Sequence, residues 1–478
     1  MTAPAPEHLI FITGKLAEKS LTRVLSELTP RPFTYEIRVL GVAVAALLTG
    51  ELIARRLGDV AGASKVIIPG RCRCDLDQLA ANFVTPFVRG PEELKDLPQF
   101  FGGHARAQTL DRHACLIFAE IVDAPHLTVA ECLARAARFQ VDGADVIDLG
   151  CLPDVPFPHL AESVKALRAA GFKVSVDSLD TAELLCGGNA GADYLFSLNE
   201  ETLWIADEVA ATPILIGNDP RDMASLYRAI ERFSARQRPF YADPILDPIH
   251  HGFTDSLLRY HALRAKYPRV EIMFGLGNIS ELTHADTLGI NALMMGVVSE
   301  LGIGAVLTTE VSGHCRSVVR EVDRARRILF AAHEDQVPPR HIDEGLLALH
   351  ERKPFPYSTE EIAEFAGAIK DPNFRIQVAA DGIHIYNRDG ETVGTDPYDL
   401  FPALKVEDDG AHAFYLGLEL ARAQIAWQLG KRYDQDEELG WGSVRPRPIA
   451  DTRHFSAERS TLKARKAKRK PKVRGTSE

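Results

Sequence analysis

The chain has 478 residues, more than the roughly 250 to 300 that one hydrophobic core holds, so two or three domains are expected. Its 46% hydrophobic and 25% charged residues are those of a globular protein, and seven cysteines are too few and too odd in number for a disulfide scaffold. The net charge is −11, and because residues 452–478 hold ten Lys and Arg against two Glu, the rest carries −19, which argues against a nucleic-acid surface.

From the N-terminus, HLIFIT, YEIRVLGV and KVIIPG read as short strands alternating with the amphipathic runs LTRVLSEL and ALLTGELIARRL. That alternation implies a small parallel α/β domain over residues 1–105, similar in plan to a Rossmann unit. Its first turn, TGKLAEKS, lacks the glycine spacing of a phosphate-binding P-loop. Cys72 and Cys74 form a CxC without a second ligand pair nearby, which reads as a loop thiol pair rather than a zinc site.

A longer and more regular β-then-α alternation follows. Strands are expected at CLIFAEIV, DVIDLG, KVSVDS, YLFSLN, PILIGN, PFYADP, EIMFGL and ALMMGV, with helices between them. Eight such units over residues 113–312 predict a central (β/α)8 barrel of the triosephosphate isomerase type. Beyond it, residues 313–358 read as a helical linker, and 359–450 as a small α+β domain with a hairpin turn at Asp389-Gly390 and one long helix. Residues 451–478 read as a basic, disordered tail. No apolar run is long enough to span a membrane, and the N-terminal stretch lacks the form of an export signal, so a cytoplasmic protein is expected.

Most of the barrel strands end in a carboxylate or an amide: Asp148, Asp177, Asn199, Asn218 and Asp243, with Asn278 just beyond its strand. In such a barrel these ends gather at one mouth, where chemistry is placed. The set holds no nucleophile-base pair and no compact His or Cys cluster. It suits recognition of a heterocycle edge, since a buried Asp accepts a paired set of N–H donors while an amide both donates and accepts.

GADVIDLG, KVSVDS, GADYLFSLN and ADPILDPIHHG, in this order, resemble the pterin-binding domain shared by dihydropteroate synthases and pterin-dependent methyltransferases. The resemblance implies that Asp177 and Asn199 bind the pterin ring, that Asp243 holds its pyrimidinone edge, and that Asp148 is a structural or secondary ligand. Three departures from the synthase pattern concern pyrophosphate handling: Val122 stands where that family has an Asn, GLGNIS replaces a lysine-bearing motif, and Thr308, Thr309 and Glu310 replace an Arg-x-His. GLGNIS is similar instead to the methyltransferase motif, which implies that Asn278 lies near the reactive edge of the pterin; Asn278 and Asp243 are thus the candidate catalytic residues.

Across its three parts, including TGKLA at residues 13–17, the chain resembles dihydropteroate synthase-like proteins of tetrahydromethanopterin biosynthesis. That implies a transferase joining a hydroxymethyl-dihydropterin diphosphate to an arylamine, ribofuranosylaminobenzene phosphate. With the usual phosphate-binding cations absent, Glu120 and Asp123 become the candidate oxygen ligands of a Mg2+, and Arg316, His250 and His251 are further candidates for the diphosphate. Methyl transfer from a reduced pterin to a corrinoid or thiol, and a non-catalytic pterin-binding scaffold, remain the alternatives. A homodimer is left open.

Overall fold

The computed structural model describes residues 7–28, 33–45, 48–72, 74–91, 94, 97–101 and 110–446; the basic tail and the segment 102–109 lie outside them. The chain divides into two compact units. The described residues of Met1–Leu116, Met295–Ala305 and Ala325–Asp343 form one, and those of Ile117–Met294, Val306–Arg324 and Glu344–Glu478 the other. The expected linker 313–358 is in large part the continuous helix Val318–Asp335.

The first unit carries a parallel sheet of β1 (Glu7–Thr13), β2 (Phe33–Val39), β3 (Lys65–Ile68) and β4 (Phe87–Arg89), in the order β2-β1-β3-β4. Successive residues of β1 serve opposite faces, as a strand's two-residue period requires. Ile10 and Ile12 pack with Ile53 and Leu79 on one side, while Leu9 and Phe11 pack with Leu21 and Leu25 on the other. Burial on both faces explains the unbroken apolar reading of β1. Cys72 and Cys74 stand in the loop after β3, and the helix Leu76–Phe83 follows, its N-terminus capped by the Asp75 carboxylate accepting from the Asp77 and Gln78 amides. The three-residue β4 is too short to show a period in sequence.

The second unit is built on the expected closed barrel. Its strands are β5 (Leu116–Ile121), β6 (Val146–Gly150), β7 (Lys173–Asp177), β8 (Tyr194–Leu198), β9 (Thr212–Leu215), β10 (Tyr241–Ala242), β11 (Glu271–Gly275) and β12 (Ala305–Thr309). The eighth strand is a correction. ALMMGV lies in the helix Thr287–Glu300, and burial of Asn291, Met294, Met295 and Val298 shows the helical repeat. A short apolar run does not separate a strand from a buried helix. Phe118, Tyr194 and Tyr241 meet edge-on inside the barrel, with ring centroids 4.9 to 6.5 Å apart, and fill its floor.

The C-terminal part of this unit pairs β13 (Arg375–Ala379), β14 (Gly382–Asn387) and β15 (Gly390–Gly394) antiparallel in that order. Asn387 faces Gly390 across the hairpin, whose loop is therefore Arg388-Asp389, with Gly390 at φ +132° closing it. The long helix Gly410–Leu429 covers the sheet through Leu416, Leu420 and Ala423.

Candidate active site at the barrel mouth

Strand register decides which side chains share the barrel interior. Glu120, Asp148 and Ser175 lie opposite one another across β5, β6 and β7, so all three occupy one layer above the aromatic floor, and Asp177 stands two residues higher on β7. Asp148 is therefore mid-strand rather than at a strand end as expected. It is fully buried, and neither of its carboxylate oxygens has a hydrogen-bond partner among the described residues. A buried carboxylate without partners favours its neutral form. Burial and the neighbouring Asp177 and Glu120 carboxylates hold Asp148 well above the ordinary carboxylate range.

The same argument extends across the cluster. Glu120 is pushed up to about 8 by burial and then by the charges of Asp177 and Glu281. Asp177 is raised by burial, and the Ser197 hydroxyl, donating to its Oδ1 at 2.8 Å, pulls it partly back. Ser197 reaches it because β8 is irregular between Leu195 and Leu198 and Ser197 sits at φ +65°, a re-aiming of one side chain that a β-bulge permits. Gly150 leaves room for the Glu120 carboxylate, since a Cβ there would fall 2.6 Å from Glu120 Oε1 and the side chain would have to shift.

Asp243 is raised to about 6 by burial, against the opposing bonds from Tyr260 and Ile245 and with Asp177 adding to the rise. Its Oδ1 accepts from the Tyr260 hydroxyl and the Ile245 amide, both at 2.7 Å, which leaves Oδ2 without a donor among the described residues. The chain just after it is strained: Ile245, a β-branched residue, sits at φ +61°, a conformation costing about 1 to 3 kcal/mol that persists only where the surroundings enforce it. Arg259 supplies the restraint, donating to the Pro244 and Ile245 carbonyls at 3.1 and 2.7 Å and to Asp247 Oδ2 at 2.9 Å. Asn278 Nδ2 adds a bond to the Leu246 carbonyl at 2.8 Å. Asn278 thus braces the Asp243 loop, and its Oδ1 has no hydrogen-bond partner among the described residues.

Asp148, Asp177 and Asp243 are consequently brought together, with Glu120 and Glu281 as electrostatic neighbours. Glu281 differs from the rest. Against burial, bonds from Ser312, Val311 and Thr309 hold it below the ordinary range, and its charge adds, after burial and Asp177, to the rise of Glu120. Asn199 Oδ1 accepts from the Glu201 and Thr202 amides at 3.0 and 3.2 Å; that oxygen is used in capping its own turn.

The remaining candidates stand apart. Asp123 pairs with Arg135, whereas Glu120 has Asp177 and Glu281 as neighbours. Among the described residues no group of three or more His, Cys, Asp or Glu is placed to hold a metal ion. Glu120 and Asp123 thus face different partners. Thr309 donates to Glu281 Oε1 at 3.0 Å, and Glu310 lies 2.8 Å from Arg138 and accepts from the Val319 amide at 3.1 Å. Arg316 and His250 are exposed. Arg221 Nη2 donates to the His251 carbonyl at 2.6 Å and brings a guanidinium to the loops after β9 and β10. Sequence reasoning missed Ser197, Arg221, Arg259, Tyr260 and Glu281; Arg221 alone carried a local signal, as the one cation in the turn GNDPRD after β9.

Comparison with known proteins gives three findings. Residues 7–92 match a family described as "Family of unknown function (DUF6513)". A protein of Methanocaldococcus jannaschii described as "Uncharacterized protein MJ0107" is 24% identical over 530 residues, which covers 90% of this chain and 98% of the relative. Among solved structures, dihydropteroate synthase of Yersinia pestis with a sulfonamide drug is similar at 16% identity and TM-score 0.38, over 46% of this chain and 94% of that one. The synthase of Xanthomonas albilineans in complex with 7,8-dihydropteroate is similar at 20% identity and TM-score 0.36, over 48% and 96%. The barrel assignment itself rests on the closed strand order. Among the described residues no helix is long and apolar enough to cross a membrane.

Proposed function

We propose that the barrel binds a reduced pterin and acts as a transferase on it. The observation that carries this reading is the convergence of Asp148, Asp177 and Asp243 in one electrostatic cluster, on the motifs whose order resembles the pterin-binding domains. The cluster holds acids in different protonation states. An ionised carboxylate accepts the paired N–H groups of a pyrimidinone edge, while a neutral acid such as Asp148 also donates, so ring acceptors and donors both find partners. Asp243, with Oδ1 occupied and Oδ2 unclaimed, suits the amino-bearing edge.

The reaction that fits is condensation of a hydroxymethyl-dihydropterin diphosphate with an arylamine, the step of tetrahydromethanopterin assembly that the whole-chain resemblance implies. The amine nitrogen forms a bond to the exocyclic methylene carbon as the carbon-oxygen bond to the diphosphate breaks. The diphosphate leaves with the electron pair, and the nitrogen sheds a proton to solvent. The residues contribute orientation and charge placement, worth several kcal/mol of barrier, rather than covalent chemistry. Arg221 is the cation assigned to the leaving diphosphate.

A second reading, methyl transfer from a methylated pterin, is favoured by the unclaimed Oδ1 of Asn278 beside the Asp243 loop. Incubating the protein with the dihydropterin diphosphate and an arylamine, and separately with a methyl-pterin and a thiol, separates the two by the product mass. Condensation product only from the first pair supports the leading reading. Product only from the second transfers the site to methyl transfer.

A further inference from the structure

We infer that the protein pairs with a second copy of itself through the outer face of its long C-terminal helix, Gly410–Leu429, the two helices running antiparallel across a two-fold axis. A helix lying on a sheet buries one apolar stripe and offers a polar one to solvent. This helix does the first, with Leu416, Leu420, Ala423 and Ala426 buried in one cluster with Ile376 and Val378 of β13 and Ile383 and Ile385 of β14. Its opposite side does not do the second.

After Gly410 the exposed positions of the helix are Ala411, Phe414, Leu418, Ala421, Ile425 and Gln428. They recur at alternating steps of three and four residues, the spacing of the a and d positions in a coiled coil. All but Gln428 are apolar. Phe414 is 76% exposed, Leu418 43% and Ile425 39%, and no charged side chain interrupts them. Arg422, on the flank, is paired with Glu419 at 2.7 Å. A continuous apolar stripe on a surface marks a docking face, and the described residues leave this one open.

The stripe is complementary to its own copy. Antiparallel pairing about a point between positions 419 and 420 sets Leu418 against the partner's Ala421, Phe414 against the partner's Ile425 and Ala411 against the partner's Gln428. At the centre a bulky side chain thus meets a small one, as interdigitated packing requires. Gly417, beside the seam, has open space where a Cβ would stand. A mid-helix glycine weakens a helix by itself, and close approach of a second backbone gives it a use.

Charge agrees with that direction. The loop entering the helix exposes Glu407 and Asp408, with Lys405 before them. The segment packed on the far end, where the Glu351 amide donates to the Gly430 carbonyl at 2.9 Å, exposes Lys353; Arg352 and Arg432 there pair with Glu344 and Asp434. Antiparallel pairing brings the acidic end of each helix to the end of the other that bears Lys353, whereas parallel pairing would set like charges together. A two-fold contact of this kind closes on itself as a dimer. At 1.5 Å per residue the seam from 411 to 428 is about 26 Å long, which places it at the small end of specific interfaces and its dissociation in the micromolar range.

Sedimentation of the full-length protein across the micromolar range tests the pairing. The parent should pass from monomer to dimer, and Phe414→Glu and Leu418→Glu should each stay monomeric with the parent's circular dichroism spectrum. Should either variant fail to fold, cysteine cross-linking under a mild oxidant decides alone. Phe414→Cys combined with Ile425→Cys should give a covalent dimer, since the two positions face each other across the axis. Within one helix they lie about 16 Å apart, too far for a disulfide. Phe414→Cys by itself, and the parent, should stay uncross-linked. A parent that is monomeric throughout, a dimer that survives both glutamates, or cross-linking by Phe414→Cys alone would each overturn the proposal. A monomeric parent that dimerises once residues 447–478 are removed would also overturn it, by making the chain's own C-terminal segment the occupant of the face. No arm of the test involves a pterin, so its outcome is independent of the barrel site.

Discussion

The barrel and the N-terminal sheet are both built of parallel strands, yet their strand ends carry different side chains. The barrel mouth buries Glu120, Asp148, Asp177 and Asp243, and burial, joined by carboxylate repulsion at Glu120, Asp148 and Asp243, raises all four above the ordinary carboxylate range. In the N-terminal sheet β1 ends in Thr13 and runs into Gly14, and β3 runs into Pro69 and Gly70. The same backbone geometry serves both because strand ends supply position and side chains supply chemistry. An acidic, partly protonated mouth suits a neutral ring rich in N–H groups.

The largest effect that sharpens this contrast is expected at Asp243. Asp243→Ala should weaken pterin binding by about 2 kcal/mol or more, roughly thirtyfold, through loss of a charge-assisted bond, as read by calorimetric titration. Unchanged affinity would remove Asp243 from the pterin edge.

Next comes the pH dependence of folding. Glu120 sits near 8 in the fold against an ordinary 4.5, so the folded protein holds an extra proton between those values. Stability is then fully present below pH 4.5 and declines as pH rises through 8. Asp243, near 6 against 3.8, adds a decline of the same sign over a lower window. Denaturant titrations should show Glu120→Gln flattening the fall between pH 5 and 8 by on the order of 2 kcal/mol. A slope identical to the parent's would show that Glu120 is charged throughout.

A smaller effect is expected from Arg259→Lys. An ammonium cannot reproduce the fork that binds two carbonyls and Asp247, so the strained Ile245 loop should relax at a loss of about 1 kcal/mol in stability and several-fold in pterin affinity. Equal affinity with lowered stability would confine Arg259 to a structural role. The smallest effect is the control between the regions: Arg71→Gln should change pterin affinity by less than about 0.5 kcal/mol, within the spread for independent sites.

Much of the barrel was legible because its strands are short apolar runs closed by polar residues at a regular interval. Asp177 and Asp243 stood out as acids at the ends of such runs. The eighth strand was lost because ALMMGV and AVLTT are both short apolar segments, and burial rather than composition separates them. Tyr260 and Arg259 read as ordinary positions on a charged helix. Their roles depend on the turn at Ile245, whose left-handed backbone no sequence rule assigns to a β-branched residue. Ser197 was hidden inside YLFSLN, since a bulge changes which face a strand residue takes. Asn199 shows the converse: Asn-Glu-Glu-Thr is a local turn pattern, and its side-chain oxygen indeed accepts from the Glu201 and Thr202 amides.

The central claim, that the acidic mouth is a pterin site, is tested most directly by titrating hydroxymethyl-dihydropterin into the parent protein and into Asp177→Asn, with the Ser197 contact to Oδ1 available to both. The account predicts one saturable site per chain in the parent and at least about tenfold weaker binding in the variant, a difference of about 1.4 kcal/mol. No saturable binding by the parent, or equal binding by the variant, would contradict it.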